Sequence, residues 1–141
     1  MASATFRYSP VMLFIAGAVA ALLFQQGTIA ILNALGYAPP PFSYTRTRPL
    51  NVPMVWSLVF WGGVWGLVYG FVESKFPDGI LYWIAAFLFG AIFPVLVLWF
   101  VVFPLKGQPV AAGWDTTRML VQVLHHGMWG LGTGIILKYR P

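Results

Sequence analysis

Two adjacent histidines, His125 and His126, are the side chains of this chain best suited to chemistry. They are its only histidines, and they lie in a long run without charged residues. Two imidazoles that ligate one haem face each other across its plane, whereas neighbours on a helix point about 100° apart. Ligation of one haem by both is therefore excluded, while ligation of a haem or a pigment by a single histidine stays open. A zinc site would need further ligands at the same depth.

The apolar runs hold a small set of polar side chains, namely Gln25, Gln26, Gln122, His125 and His126. Polar groups that face lipid are costly, so we expect this set to point inward. Similar depths predict that Gln25 or Gln26 lies within hydrogen-bond reach of His126, directly or through one water. His125 would then face the third helix or another protein. A structural cluster is one interpretation, and a Gln/His-lined path through a small channel or transporter is the alternative, since histidine titrates near neutrality.

The sequence carries no enzyme signature. It has no paired carboxylates, no nucleophile spaced to meet a histidine and no glycine-rich phosphate loop. With no cysteine, thiolate chemistry and Cys-ligated metals are excluded. The three acidic residues end or flank apolar runs, and Glu73 is expected to pair with Lys75 or a lipid headgroup. These observations predict a non-catalytic protein with no cofactor and no metal.

The elements that must position these residues are long apolar helices. Of 141 residues, 60% are apolar and 8% are charged, whereas a soluble domain has about a quarter charged. Four runs lack charges, at residues 11–35, 54–72, 80–103 and 119–137. Each is long enough to cross roughly 30 Å of hydrocarbon as a helix. The sequence thus predicts an all-α polytopic membrane protein with one four-helix transmembrane domain over residues 1–141.

The charged residues set the expected partners and location. Cations near the ends of the runs are Arg46, Arg48, Lys106, Arg118, Lys138 and Arg140. With a net charge of +5 they favour contact with anionic lipid headgroups, and no motif points to nucleic acid. Four spans put both termini on one side. The Lys/Arg tally is tied at four a side, and the free amino group favours termini in the cytoplasm.

Glycines at a spacing of four mark helix-packing faces. The proposed packing or partner interface comprises Gly62, Gly66, Gly70, Trp61, Trp65, Gly130 and Gly134. Small residues at this spacing let helix backbones approach closely, either inside the bundle or against another subunit. The second and fourth runs also share the pattern W-G-L-x-x-G, at Trp65 and Trp129, an offset of 64. Two repeated helical hairpins would explain this match, and coincidence is the other explanation.

Residues 64–140 contain an ordered set of features, namely Tyr69 then Glu73, Phe76-Pro77, Phe103-Pro104-Leu105, Gly107, Pro109-Val110, Trp114, His126 then Trp129, and Lys138 with Arg140. In this set the chain resembles the YagU-like group of small bacterial inner-membrane proteins. The first helix and the Pro-rich loop after it show no match, and this chain is short for the group. The resemblance implies an all-helical protein of the bacterial inner membrane without an established biochemical activity, and it transfers no mechanism.

The leading functional hypothesis is a non-catalytic membrane protein that acts through helix–helix contacts. It would be an accessory or assembly subunit of a larger membrane complex, or a homo-oligomer. Two small-residue faces, abundant aromatic residues and the absence of an acid within the runs favour this hypothesis. The alternatives are the channel or transporter described above and, third, a pigment- or haem-binding membrane subunit.

Overall fold

Four long helices dominate the computed structural model, which describes residues 7–47 and 50–139. They are α1 (Pro10–Ala34), α2 (Met54–Glu73), α3 (Ile80–Leu105) and α4 (Thr116–Tyr139). Each predicted run falls on one helix, with ends that differ by three residues or fewer. Within the described ranges there is no strand, and an isolated bridge pairs Arg46 with Pro53. The predicted all-helical class is confirmed.

Three of these helices, α1 to α3, are long and apolar enough to cross a membrane. This indicates a membrane protein. The fourth helix has 24 residues, yet it is less apolar along its length because it carries Gln122, His125 and His126. Length and hydropathy therefore identify three spans rather than the four predicted from the charge-free runs.

Local sequence explains where the helices begin and where they widen. The Ser9 hydroxyl accepts a hydrogen bond from the Met12 amide (3.1 Å), and Pro10 follows at the first helical position. Asp115 caps α4 as expected, accepting from the Arg118 amide at 3.2 Å. Two helices contain a wide π-helical turn, at Ala21–Gln25 in α1 and Leu98–Val102 in α3. Each wide turn rotates the residues that follow it relative to a regular α-helix.

The helices pack in the spatial order α2, α1, α4, α3. The extensive contacts are those of α1 with α2 and of α3 with α4, and α1 also lies along α4. In contrast, the backbones of α2 and α3 barely approach each other, although the short link 74–79 joins them. The fold is thus two helical hairpins, α1/α2 and α3/α4, held together along α1 and α4.

Glycines bring the two backbones of each hairpin into direct contact. A Cβ atom added at Gly66 would collide with the Leu13 carbonyl oxygen and lie 3.1 Å from the Gly17 Cα. A Cβ atom added at Gly130 would collide with the Ala86 carbonyl oxygen. No larger residue fits at either place, so the glycine spacing reflects close helix packing.

The two hairpins use matching contacts. Gly63 lies under the ring of Phe14, and Gly127 lies under the ring of Phe87. An offset of 64 residues relates Gly63 to Gly127, and an offset of 73 relates Phe14 to Phe87. The same offsets relate Gly66 to Gly130 and Gly17 to Gly90. The pattern shared by the second and fourth runs therefore occupies equivalent positions in the structure.

We expect Gly66→Leu to destabilise the fold, because the branched side chain holds α1 and α2 apart. Overpacking of this kind costs about 1–3 kcal/mol. The matched control is Gly27→Leu in α1, where an added Cβ meets no atom within 4 Å. Thermal unfolding in detergent measures both variants, and equal melting temperatures for the two would contradict the packing role of Gly66.

Candidate functional site

A buried hydrogen bond between two side chains joins α1 to α4 inside the fold. The Gln25 side-chain amide lies 3.1 Å from Nδ1 of His125, and the two side chains are 4% and 8% exposed. The amide nitrogen donates to the ring nitrogen, which assigns the ring proton of His125 to Nε2. Gln25 closes the wide turn of α1, and this turn directs its side chain onto α4.

The predicted direct hydrogen bond between Gln25 or Gln26 and His126 is not made, because Gln25 bonds to His125 instead. The expectation that His125 faces the third helix or another protein is wrong, since this ring faces α1. His125 shares a helix face with Trp129, four residues on, and the Trp129 indole donates to the Gly17 carbonyl at 2.9 Å. That face is the one turned toward α1. His126 lies about 100° further round α4, so its depth matches that of Gln25 but its direction does not.

His126 and Gln122 make contacts of their own. Nδ1 of His126 donates to the Gln122 carbonyl oxygen (2.8 Å), which leaves the ring lone pair on Nε2. The Gln122 side-chain oxygen accepts a hydrogen bond from the Trp99 indole of α3 (2.6 Å). Gln122 therefore links α4 to α3, while His126 is anchored to its own helix.

Gln26 fastens the loop that follows α1. Its side-chain oxygen accepts from the Phe42 amide at 2.7 Å, and its side-chain nitrogen has no hydrogen-bond partner within the described ranges. The five residues predicted as one buried polar cluster thus separate into a Gln25–His125 pair, a Gln122–Trp99 pair with His126 beside it, and Gln26 on the loop.

A second buried polar cluster lies at the other end of the helices. The Tyr82 hydroxyl donates to Oε2 of Glu73 (2.9 Å) and lies 3.1 Å from the Tyr69 hydroxyl. Nε of Arg7 lies 3.6 Å from Oε1 of Glu73. The ammonium of Lys138 lies 4.2 Å from the centre of the Tyr82 ring. This cluster joins the start of the described chain to α2, α3 and α4.

Glu73 is a buried charged residue whose surroundings the sequence did not predict. It was expected at the membrane interface beside Lys75 or a headgroup, but its side chain is 1% exposed and paired with Tyr82 and Arg7. The expectation failed because α2 ends against α3, which shields the carboxylate. The spacing of four between Tyr69 and Glu73 was the available signal, since such residues share a helix face.

An aromatic core separates the two polar clusters. Tyr69, Phe89 and Trp129 pack ring to ring, with centroids 5.4–6.4 Å apart. The Thr133 hydroxyl, fully buried beside them, donates to the Trp129 carbonyl of its own helix (2.9 Å). In the part of the chain that the structure describes, packed aromatic rings therefore lie between the polar groups at the two ends.

The residues proposed as a packing or partner interface divide between inside and outside. Five glycines are buried, at Gly62, Gly66, Gly70, Gly130 and Gly134. Trp65 is half-buried against Phe89, while Trp61 is 54% exposed. The glycine contacts support the packing interpretation, because these faces are already covered by other helices of the same chain.

The cations proposed at the lipid interface have different surroundings. Lys138 lies over the Tyr82 ring. The Arg46 guanidinium donates a hydrogen bond to the Asn51 carbonyl (3.0 Å). Lys106 and Arg118 are exposed near the two ends of the loop between α3 and α4. Arg48 and Arg140 lie outside the described residues.

Two further sources of evidence, clusters of metal-ligating side chains and comparison with known proteins, do not identify a reaction or a ligand. Residues 7–47 and 50–139 contain no group of three or more histidine or acidic side chains placed to hold a metal ion. No family model, curated protein or solved structure matches this chain. The geometry of the residues themselves is what a functional proposal must use.

We expect His125→Leu to lower the free energy of unfolding by about 1–2 kcal/mol, because it leaves the buried Gln25 amide unpaired. The double variant Gln25→Leu with His125→Leu should lose less than the sum of the two single losses. His126→Gln, which keeps a donor and an acceptor, serves as the neighbouring control. Strictly additive effects in a double-mutant cycle would show that the two side chains do not interact.

Proposed function

We propose that this chain is a non-catalytic polytopic membrane protein that acts through contacts with other membrane-protein subunits or with a second copy of itself. It crosses the bilayer four times as two repeated hairpins. The resemblance of residues 64–140 to the YagU-like group supports the bacterial inner membrane as its location. Both termini then lie on the same side, which we assign to the cytoplasm.

The position of α4 supports a fourth span. Its 24 residues measure roughly 36 Å at 1.5 Å per residue, enough to cross the hydrocarbon. Two of the side chains that lower its hydropathy bond to other helices, His125 to α1 and Gln122 to α3. The side of α4 left for lipid includes Leu120 and Leu124, both exposed.

The observation that carries the partner-binding role is an exposed ledge, by which we mean the described residues of the two loops at the end opposite the α2–α3 link. Their exposed apolar side chains are Tyr37, Phe42, Tyr44 and Leu50 after α1 and Trp114 before α4. The Phe42 amide donates to the Gln26 side-chain oxygen, and the Asn33 side-chain amide donates to the Ala38 carbonyl. These two hydrogen bonds fix the loop against α1. Aromatic residues and arginine are enriched at protein interfaces, and Arg46 lies in this ledge.

The backbone of the ledge is held in an unusual form. Ala111, Ala112, Gly113 and Trp114 all have positive φ, between 53° and 70°. The two alanines are nevertheless fully or nearly fully buried, at 0% and 2% exposure. Left-handed backbone costs roughly 1–2 kcal/mol for each non-glycine residue. Packing of Ala111 and Ala112 offsets that cost and presents Trp114 outward.

The contacts of the polar side chains favour a structural role over a channel. Gln25, Gln122 and His125 each bond to another side chain within the packed helices. Water or an ion would have to displace these partners and the aromatic core beyond them. A structural use of these groups, which stabilises the contacts of α4, accounts for their positions directly.

One observation favours a second candidate, a pigment- or haem-binding subunit. The His126 ring donates through Nδ1 to a backbone carbonyl, as metal-ligating histidines commonly do, and its Nε2 lone pair is left for a metal. A porphyrin or chlorin metal held by Nε2 alone fits this tautomer. His125 serves as the matched control for His126, because its Nδ1 accepts from Gln25 and its Nε2 therefore carries the proton.

Purification of the full chain in mild detergent tests both candidates. We expect a homo-oligomer or a stoichiometric complex whose association is lost in Tyr44→Ser and kept in Ile80→Ser, an exposed position at the opposite end. Light scattering and mass spectrometry report mass and composition. A monomer without a partner, or association unchanged by Tyr44→Ser, would contradict the ledge as an interface. A visible absorbance band lost in His126→Ala but kept in His125→Ala would instead establish the second candidate.

A further inference from the structure

An apolar groove lies where α2 and α3 diverge. It has a volume of about 320 Å³ and is open to the surroundings. Its lining consists of the side chains of Trp65, Val68, Val72, Phe89, Phe93, Leu96 and Val97. Every one of these is apolar, and Phe89 belongs to the aromatic core. The groove thus reaches from the outer surface of the helices to the centre of the fold.

The matching seam between α1 and α4 is filled by the chain itself. There the ring of Phe24 lies on Gly132, and Trp129 bonds to Gly17. The offsets that relate the two hairpins place Val97 at the position of Phe24 and Val68 at that of Gly132. Both valines line the groove. A ring fills one seam, and open space remains at the equivalent point of the other.

The wide turns explain this difference between the seams. In α1 the turn spans Ala21–Gln25 and includes Phe24. By the offset of 73 the equivalent stretch of α3 would begin at Pro94, but its wide turn begins at Leu98, after Val97. The wide turn of α1 rotates Phe24 onto α4. The wide turn of α3 begins after Val97, so it does not rotate Val97 onto α2.

The lining favours a hydrocarbon chain over a transmembrane helix as the occupant. Helices that dock in a membrane approach through glycine, alanine, serine or threonine, and none of these lines the groove. The glycine faces of this chain are used inside its own hairpins. Branched and aromatic side chains leave an irregular space, which a flexible chain fills by dispersion contacts.

A cation follows one lining residue closely along the chain. The Lys75 amide donates to the carbonyl of Val72, a lining residue, at 2.9 Å, and the Lys75 side chain is exposed. We infer that the groove binds one acyl chain of a membrane phospholipid whose phosphate lies level with Lys75. The inference rests on the proposed membrane location of α2 and α3 and not on the proposed partner contacts, so either can fail alone.

Val97→Phe tests the inference by supplying the ring that the seam lacks. The full chain is reconstituted in nanodiscs of dioleoylphosphatidylglycerol and extracted again, and the phospholipid that stays bound is counted by native mass spectrometry. We expect the wild-type protein to retain phospholipid. We also expect its melting temperature to rise when dioleoylphosphatidylglycerol is added back to protein from which the lipid has been removed. Val97→Phe should lose both effects. The control Ile92→Phe, exposed on α3 outside the groove, should keep them, and equal retention by both variants would overturn the inference.

Fluorescence supplies a second test that needs no enlarged side chain. At one brominated-chain phosphatidylglycerol per protein, we expect the bound chain to quench Trp65. Quenching should therefore fall in Trp65→Phe and persist in Trp56→Phe, whose tryptophan is exposed elsewhere on α2. Equal quenching in the two variants would overturn the inference.

Cross-linking tests the other possible occupant, a second copy of the chain. Because the chain has no cysteine, Val97→Cys gives a single thiol. Efficient disulfide cross-linking between copies through this thiol would place a second copy in the groove and overturn the inference.

Discussion

Direct backbone contact at glycine is the constraint on which the rest of this structure depends. Lipid tails are as apolar as leucine, so helices in a membrane gain little from burying apolar surface and associate through close packing and hydrogen bonds. Gly17 and Gly66 provide this contact in the first hairpin, and Gly90 and Gly130 provide it in the second. Once each hairpin is closed in this way, the faces left on α1 and α4 determine how the hairpins meet.

The meeting of α1 and α4 places the polar groups. It buries the Gln25–His125 pair and the Trp129 indole on Gly17, each of which would be costly if it faced lipid. At the other end the short α2–α3 link brings Tyr82 against Glu73. The two surfaces that we propose to be functional follow from the same arrangement. The ledge lies at one end, and the α2–α3 groove opens where the second seam is not filled.

The sequence predicted most of the framework and little of the side-chain pairing. Charge-free runs located all four helices, because charges cannot sit within hydrocarbon, and glycine spacing identified the packing faces of α2 and α4. The partner glycines of α1 and α3 were missed because neither Gly17 nor Gly90 has a second glycine four residues away in its helix. The Gln25–His125 pair depends on the wide turn at Ala21–Gln25, which a regular helical spacing does not anticipate. The left-handed alanines at 111 and 112 contradict local preference and depend on tertiary packing.

The most direct test of a membrane protein built from two packed hairpins is its topology. Single cysteines introduced by Asp78→Cys, Lys106→Cys and Tyr139→Cys in this cysteine-free chain are labelled with an impermeant maleimide in sealed vesicles. Four spans require Asp78→Cys and Tyr139→Cys to react from the same side and Lys106→Cys to react from the other. Labelling of Tyr139→Cys together with Lys106→Cys would show that α4 does not cross the membrane and would contradict the two-hairpin account.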